Sequence, residues 1–228
     1  MDAVKLHDNN ASLFRKRYDD KHSFKNRLKI WVDLFDTYIS KDKTIIELGC
    51  GPGLMAKVLL ENNNKMIAVD GSAKMIERAQ DETQEFKNNI EFIENYITVD
   101  FLQQFKENQF DSAISSSVLE YIKEFDAILE NSIRIIKPGG YFIFSIPNKQ
   151  SLFRKIETVS YQLFGKPIYR KLLFSSKTVA EIKQLASSKV QVEEILFQGN
   201  VPYYSAVTSF LPDRYQKTMM IVVLKKLS

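Results

Sequence analysis

Five short apolar runs alternate with stretches of helical periodicity between residues 44 and 146. The runs are predicted strands at 44–48, 65–69, 90–94, 110–115 and 141–146, and the stretches between them are predicted helices at 54–62, 72–84, 98–106 and 123–136. Ser72 is placed to cap the second helix, and the 137–140 stretch, with Pro138 and two glycines, is predicted to be a turn. Strands joined by helices need right-handed crossovers, so the chain should be α/β, a doubly wound parallel sheet covered on both faces.

Two further β-rich runs, at 190–197 and 218–224, break this rhythm because no helical period separates them. The loop between them holds Pro202 and Pro212, and we expect the two runs to pair antiparallel at one edge of the sheet. This gives a seven-stranded, mostly parallel sheet. The domain prediction is a helical N-terminal lid (1–42), a core (43–148), a helical cap insertion (149–175) and a C-terminal completion of the sheet (176–228).

Composition excludes several classes of protein. The 228 residues are 44% hydrophobic, with no apolar run long enough to span a membrane and a polar N-terminus, so neither a span nor a secretory signal is expected. The single cysteine, Cys50, excludes an intramolecular disulfide and a cysteine-based zinc cluster, and we expect no metal site. These features favour the cytoplasm.

The net charge of +4 is concentrated at 15–17, 21–29 and 225–226. This is a mild excess and not a continuous basic stripe, so a solvated helix face is favoured over a phosphate-binding patch, and nucleic acid is not indicated as a partner.

A glycine-rich loop follows the first predicted strand. Gly49, Gly51 and Gly53 stand at alternate positions directly before a predicted helix, which lets the backbone turn sharply and approach a ligand closely. Asp70 ends the second strand, near the spacing at which an acid binds the ribose of an adenine nucleotide. Leu54 replaces the third glycine of the dinucleotide fingerprint, which disfavours NAD. The alternative is a tight turn, with Asp70 only capping the next helix.

Four segments in this order resemble the successive motifs of class I S-adenosylmethionine (SAM)-dependent methyltransferases, and most of all small-molecule enzymes of the ubiquinone and menaquinone methyltransferase type. They are Glu47-Leu48-Gly49-Cys50-Gly51-Pro52-Gly53, Val69-Asp70-Gly71-Ser72 with Met75, Phe110-Asp111 with Ser115-Ser116-Ser117-Val118-Leu119-Glu120-Tyr121-Ile122, and Ile135-Ile136-Lys137-Pro138-Gly139-Gly140-Tyr141. The resemblance covers residues 43–148.

The resemblance implies that SAM is the cofactor. It implies that Glu47 orients the methionine amino group, that Asp70 binds the ribose hydroxyls and that Arg27 meets the SAM carboxylate. The predicted cofactor-binding set is Arg27, Glu47, Gly49, Cys50, Gly51, Gly53, Asp70, Gly71, Met75, Asn95, Tyr96, Ser115 and Ser116. Asn95 and Tyr96 depart from the Gly-Asp that many relatives carry there, so adenine contact is assigned to the Asn95 side chain, the backbone or stacking on Tyr96.

No catalytic base is specified by the sequence. His7 and His22 are the two histidines and could act near neutral pH, with Tyr18 as a further candidate, although an inert surface histidine is the commoner case. The aromatics of the cap, spaced as in a packed amphipathic helix, are interpreted as packing with a partial pocket role: Phe153, Tyr161, Phe164, Tyr169 and Phe174.

The resemblance therefore predicts methyl transfer to an oxygen or nitrogen atom of a small-molecule metabolite. SAM already carries a reactive methyl group, so aligning the acceptor and excluding water would be the main tasks. Two alternatives stay open: an RNA- or protein-modifying methyltransferase, and a non-catalytic SAM-binding regulatory protein.

Overall fold

A seven-stranded sheet in the order β3-β2-β1-β4-β5-β7-β6 forms the centre of the protein. The computed structural model describes residues 22–199, 201, 204 and 208–228. The strands are β1 Thr44–Leu48, β2 Lys65–Asp70, β3 Ile90–Glu94, β4 Phe110–Ser115, β5 Ile136–Pro147, β6 Val190–Gln198 and β7 Met219–Lys226. β1 to β5 pair parallel, and β7 pairs antiparallel with both β5 and β6. The predicted fold class is confirmed.

Helices cover both faces of this sheet. They are α1 His22–Tyr38, α2 Leu54–Leu60, α3 Ala73–Glu82, α4 Val99–Gln103, α5 Phe125–Ile135, α6 Leu152–Phe164, α7 Val179–Lys183 and α8 Asp213–Gln216. The helices predicted between the strands are present, each slightly shorter than its periodic pattern. Ser72 caps α3 as predicted, with its hydroxyl accepting from the Met75 N–H at 3.2 Å.

Successive side chains of each strand enter different halves of the core, as the two-residue period of a strand requires. Ile45 packs in the cluster that contains Trp31 and Phe35 of α1, whereas Ile46 packs in the cluster formed with α4 and α5. Trp31 and Phe35 are both 0% exposed. Residues 22–38 of the predicted lid are therefore part of the core, while residues 1–21 lie outside the described part of the chain.

β5 begins earlier than the sequence predicted. Ile136 already pairs with Phe110, and the register then shifts before Ser112 pairs with Tyr141. Gly140 lies so close to the Asp111 carbonyl oxygen that a Cβ there would overlap it. The prediction that 137–140 is only a turn is wrong, because a glycine lets this irregular stretch join the sheet.

The segment between β6 and β7 also differs from the prediction. It contains the one-turn helix α8, which follows Pro212, and four residues are too few to display a helical period. Pro202 lies outside the described residues. Among the described helices, none is long and apolar enough to cross a membrane.

Candidate functional site

The glycine loop lies at the carboxyl end of β1, where strand order reverses between β2 and β4. Gly49 and Cys50 donate their N–H groups to the Val69 carbonyl oxygen at 2.7 and 2.9 Å. Gly49 and Gly51 have φ of 82° and 51°, in the left-handed region that favours glycine. A Cβ on Gly49 would overlap Val118, whereas one on Gly51 would meet nothing within 4 Å. The loop is thus packed on one side and open at Gly51.

Asp70 holds two loops together through its carboxylate. Its Oδ2 accepts from the Gly51 N–H and its Oδ1 from the Ser72 N–H, both at 2.9 Å. Ser72, and not Asp70, is the N-cap of α3, so the sequence alternative of a cap role for Asp70 does not hold. A carboxylate can accept about four hydrogen bonds in all, so a side chain of this type is suited to binding hydroxyls.

Glu47 is buried at the end of β1 and is 1% exposed. Burial, with repulsion from Asp70 as a second cause, raises the pKa of this carboxyl well above its ordinary value. Its Oε2 has no donor within the described part of the chain. A buried acceptor of this kind is suited to a positively charged amino group of a ligand.

Arg27 reaches from α1 to the carboxyl end of β4. Its Nη2 donates to the Ser116 and Ser117 hydroxyl oxygens at 2.5 and 2.8 Å, and its buried Nε has no acceptor among the described residues. Ser115 has a different role, because its hydroxyl donates to the Leu48 carbonyl oxygen at 2.8 Å and ties β4 to β1. A guanidinium with a free donor here can bind a carboxylate.

These groups fit the cofactor that the resemblance implies. Within the described residues, Glu47 has an acceptor without a donor and Arg27 has a donor without an acceptor, as an amino group and a carboxylate would require. The Asp70 carboxylate is the type of acceptor that ribose hydroxyls would require. The Gly51 backbone, which donates to Asp70, has open space beside it, because an added Cβ would meet nothing within 4 Å.

The remaining predicted cofactor residues lie on neighbouring loops. The Asn95 N–H donates to the Asp70 carbonyl oxygen at 3.0 Å, which brings the loop after β3 beside Asp70. Asn95 and Tyr96 are both exposed, Gly71 is partly exposed, and Met75 is buried in α3. The roles assigned to these residues stay predictions.

Glu120 is a site residue to which sequence reasoning assigned no role. It lies in the 3₁₀ turn Leu119–Tyr121 just after β4, is 4% exposed, and its Oε2 has no donor among the described residues. Burial raises its pKa to about 7, against the opposing effect of the Arg27 and Arg154 guanidiniums. The available signal was an acid inside the otherwise apolar run that follows the fourth strand.

The segment 149–175, predicted as the cap, contacts Glu120 through its backbone. The Phe174 and Ser175 N–H groups donate to the Glu120 carbonyl oxygen at 2.8 and 3.2 Å. In α6, Arg154 donates to Glu157 Oε2 at 2.8 Å and to the Tyr169 hydroxyl oxygen at 3.2 Å. The Tyr169 hydroxyl in turn donates to Glu157 Oε1.

Burial raises the pKa of Tyr169 to about 12 and raises the pKa of Tyr121 as well, so both phenols stay protonated near neutral pH. We call this group of side chains the polar cluster: Arg27, Glu120, Tyr121, Arg154, Glu157 and Tyr169.

The predicted catalytic candidates do not lie in the part that can be described. His7 and Tyr18 are outside the described residues, and so is the side chain of His22 at the start of α1. The packing prediction for the cap aromatics is wrong for Phe164 and Phe174, which are 75% and 51% exposed. Phe153 does pack, edge to face against Tyr204. Among the described residues no group of three His, Cys, Asp or Glu could hold a metal ion.

Known proteins match this chain in both sequence and fold. The family model described as a methyltransferase domain matches residues 39–194, which is more than half of the chain. The ubiquinone biosynthesis O-methyltransferase of Nitrosomonas europaea is 24% identical over 132 residues, which is 58% of this chain and 53% of that protein. The protein of the same name from Coxiella burnetii is 30% identical over 110 residues, which is 48% of this chain and 45% of that protein. The chain thus spans about half the length of the curated relatives it matches.

The fold likeness extends over almost the whole chain. The crystal structure of magnesium protoporphyrin IX methyltransferase from Synechocystis, with bound S-adenosylhomocysteine (SAH), has a TM-score of 0.70 and 16% identity. The match covers 99% of this chain and 98% of that one. At such identity the likeness shows the fold alone.

Proposed function

The chain belongs to the class I SAM-dependent methyltransferases, and we propose that it transfers a methyl group from SAM to an oxygen or nitrogen atom of a small molecule. The observation that carries the proposal is the buried Glu120 carboxyl, whose Oε2 has no donor among the described residues and which lies within electrostatic reach of Arg27. The curated relatives named above are O-methyltransferases by name, which supports the same class of acceptor.

Three charged side chains of this chain would hold SAM. Glu47 would accept from its amino group, Arg27 would donate to its carboxylate through Nε, and Asp70 would accept from its ribose hydroxyls. When bound, SAM supplies a methyl group on a positively charged sulfur. Glu47 and Arg27 would fix the amino acid part of the ligand at both of its charged groups, which would limit the orientations open to the bound ligand.

Glu120 would take the proton that the acceptor loses. A carboxyl with a pKa of about 7 exchanges a proton readily near neutral pH, which suits removal of a proton from a hydroxyl or from an ammonium group. Its free Oε2 is the atom that would receive the proton. Arg27 and Arg154 would stabilise the carboxylate until the proton arrives.

The cap favours a small acceptor over a macromolecule. Its backbone binds the Glu120 carbonyl oxygen, and Arg154 and Glu157 of α6 bond to Tyr169 beyond the end of that helix, so the cap would enclose the reacting centre. Enclosure excludes water, and it requires the cap to move for the acceptor to enter. We also propose a cytoplasmic location, supported by the free buried thiol of Cys50.

Calorimetric titration with SAM, SAH and NAD tests the cofactor first. Binding of SAM and SAH without binding of NAD is the expected result. Methyl transfer from labelled SAM is then measured against panels of phenols, carboxylic acids and amines. Tight binding of SAM with no turnover on any acceptor would favour the regulatory alternative.

Glu120→Gln tests the proton acceptor. We expect kcat to fall about 100-fold or more while SAH affinity is unchanged, because general base catalysis contributes on that scale. Glu82→Gln, which removes a carboxylate paired with Lys57 away from the polar cluster, is the matched control and should keep full activity. A Glu120→Gln protein with unchanged kcat would remove Glu120 from the mechanism.

A further inference from the structure

The cap exposes an unusual amount of apolar surface for its length. Six of its apolar side chains are more than half exposed, and five of them lie between residues 156 and 168: Ile156 56%, Val159 52%, Leu163 69%, Phe164 75% and Ile168 61%. Single exposed apolar residues are ordinary, but five within 13 consecutive residues form a patch that marks an interaction surface. We call these five the cap patch.

The cap patch lies on one side of an amphipathic element. Ile156, Val159 and Leu163 are spaced by three and four residues and share one face of α6. Arg154 and Glu157 lie on another face of α6, where Glu157 accepts hydrogen bonds from Arg154 and from Tyr169. α6 ends at Gly165 in the left-handed conformation. The most exposed side chains, Leu163, Phe164 and Ile168, therefore surround the turn at the end of the helix.

The charge around the cap patch is strongly positive. Residues 149–177 contain seven lysines and arginines and one acid, a net charge of +6, whereas the whole chain has +4. The remaining residues thus have a net charge of −2. The one acid, Glu157, is buried and paired with Arg154. Lys155, Lys166 and Lys171 are exposed, so cationic side chains flank the patch.

We propose that the cap binds the surface of a membrane that contains anionic phospholipids, with Leu163, Phe164 and Ile168 entering the headgroup region. A protruding turn of aliphatic and aromatic side chains flanked by lysines is what an interfacial amphipathic helix presents to lipid. The lysines attract the anionic headgroups, and insertion of the apolar side chains adds burial that a free anion could not provide. Such peripheral binding needs no spanning helix.

Vesicle flotation tests this directly and needs no methyl transfer, so its outcome is separate from that of the proposed function. The full chain is mixed with phosphatidylcholine vesicles, alone or with about 30% phosphatidylglycerol. We expect binding to the anionic vesicles alone, and weaker binding as the salt concentration rises.

Two variants separate insertion from charge. Leu163→Ser with Phe164→Ser should weaken vesicle binding by about tenfold or more at unchanged net charge. Lys155→Gln with Lys166→Gln and Lys171→Gln should weaken it by about 100-fold, from about fivefold per lysine. The matched control, Lys65→Gln with Lys74→Gln and Lys87→Gln, removes the same charge from exposed sites on other elements and should bind nearly as wild type. Leu227→Ser, at an exposed apolar residue of the C-terminus, is the control for the first variant.

SAH affinity and thermal unfolding of each variant show that the protein remains folded. The proposal is overturned if wild type does not bind anionic vesicles at low salt, or if the two lysine triples weaken binding equally. It is also overturned if Leu163→Ser with Phe164→Ser binds as wild type, because the surface would then attract any polyanion, an acidic protein included, without insertion.

Discussion

Glu47 is a single carboxyl whose protonation should control cofactor affinity. Its pKa is raised well above 4.5 by burial, so in the free enzyme it is neutral at pH values where an exposed glutamate is ionised. Accepting from a positively charged amino group requires the carboxylate, so binding of SAM expels a proton below the raised pKa. We predict that SAM affinity weakens as pH falls through this range, by at most about tenfold per pH unit.

Titration of SAM across pH by calorimetry measures this effect. Glu47→Gln should bind SAM more weakly at high pH and show a much flatter profile. Adenosine, which lacks the amino acid part, should show no such dependence with either protein. An unchanged pH slope in Glu47→Gln would mean that another group titrates.

Two glycines with the same φ separate backbone strain from overlap of an added Cβ. Gly49 and Gly139 both have φ of 82°, but a Cβ would overlap Val118 at Gly49 and meet nothing within 4 Å at Gly139. Gly139→Ala should cost about 1–2 kcal/mol of unfolding free energy from strain alone. Gly49→Ala should cost about 1–3 kcal/mol more from overpacking, and it should weaken SAM binding by displacing the loop. Urea unfolding measures both, and Val118→Ala should restore part of the loss in Gly49→Ala only.

At the scale of elements, α1 belongs to the core through Trp31 and Phe35. Both are fully buried against α2 and the sheet, so Phe35→Ala should lower the unfolding free energy by about 3–5 kcal/mol. Deleting residues 1–38 should leave a chain that does not fold cooperatively, as followed by thermal unfolding. Asp36→Ala, at an exposed position of the same helix, is the control and should be nearly neutral. If the deletion variant folds cooperatively, α1 is not needed for the core and is a separable lid.

The parallel strands could be predicted from sequence because each is a short run rich in apolar residues between helical stretches, and β1 at the centre is buried at four of its five residues. The start of β5 could not, because its pairing depends on the close approach of Gly140 to Asp111, which is a tertiary contact. The cap was predicted as a helix, but Phe164 is exposed although its spacing fits packing. Periodicity shows that an apolar face exists and does not show what covers it.

For the whole molecule, the cofactor loops could be predicted and the acceptor side could not. Gly49, Gly51 and Asp70 are near one another in the chain and carry a local pattern. The polar cluster joins α1, the turn after β4 and the cap, so only the fold brings Arg27, Glu120 and Arg154 together. Neither the raised pKa of Glu120 nor the lack of a donor to its Oε2 among the described residues follows from its neighbours in the sequence.

The buried Glu120 should also make the stability of the whole molecule depend on pH. Its folded-state pKa of about 7 lies above the ordinary value of 4.5, so the folded protein holds this proton more tightly than the unfolded chain. The contribution of this group to the unfolding free energy is therefore fully present below about pH 4.5. It is lost as the pH rises to about 7, by about 3 kcal/mol in total. Glu120→Gln, which stays neutral, should gain stability relative to wild type between pH 5 and pH 8 in urea unfolding. The pKa of Glu47 is raised as well, so the quantity to compare is the difference in unfolding free energy between the two proteins at each pH. A difference that stays constant with pH would mean that Glu120 is already ionised in the folded state.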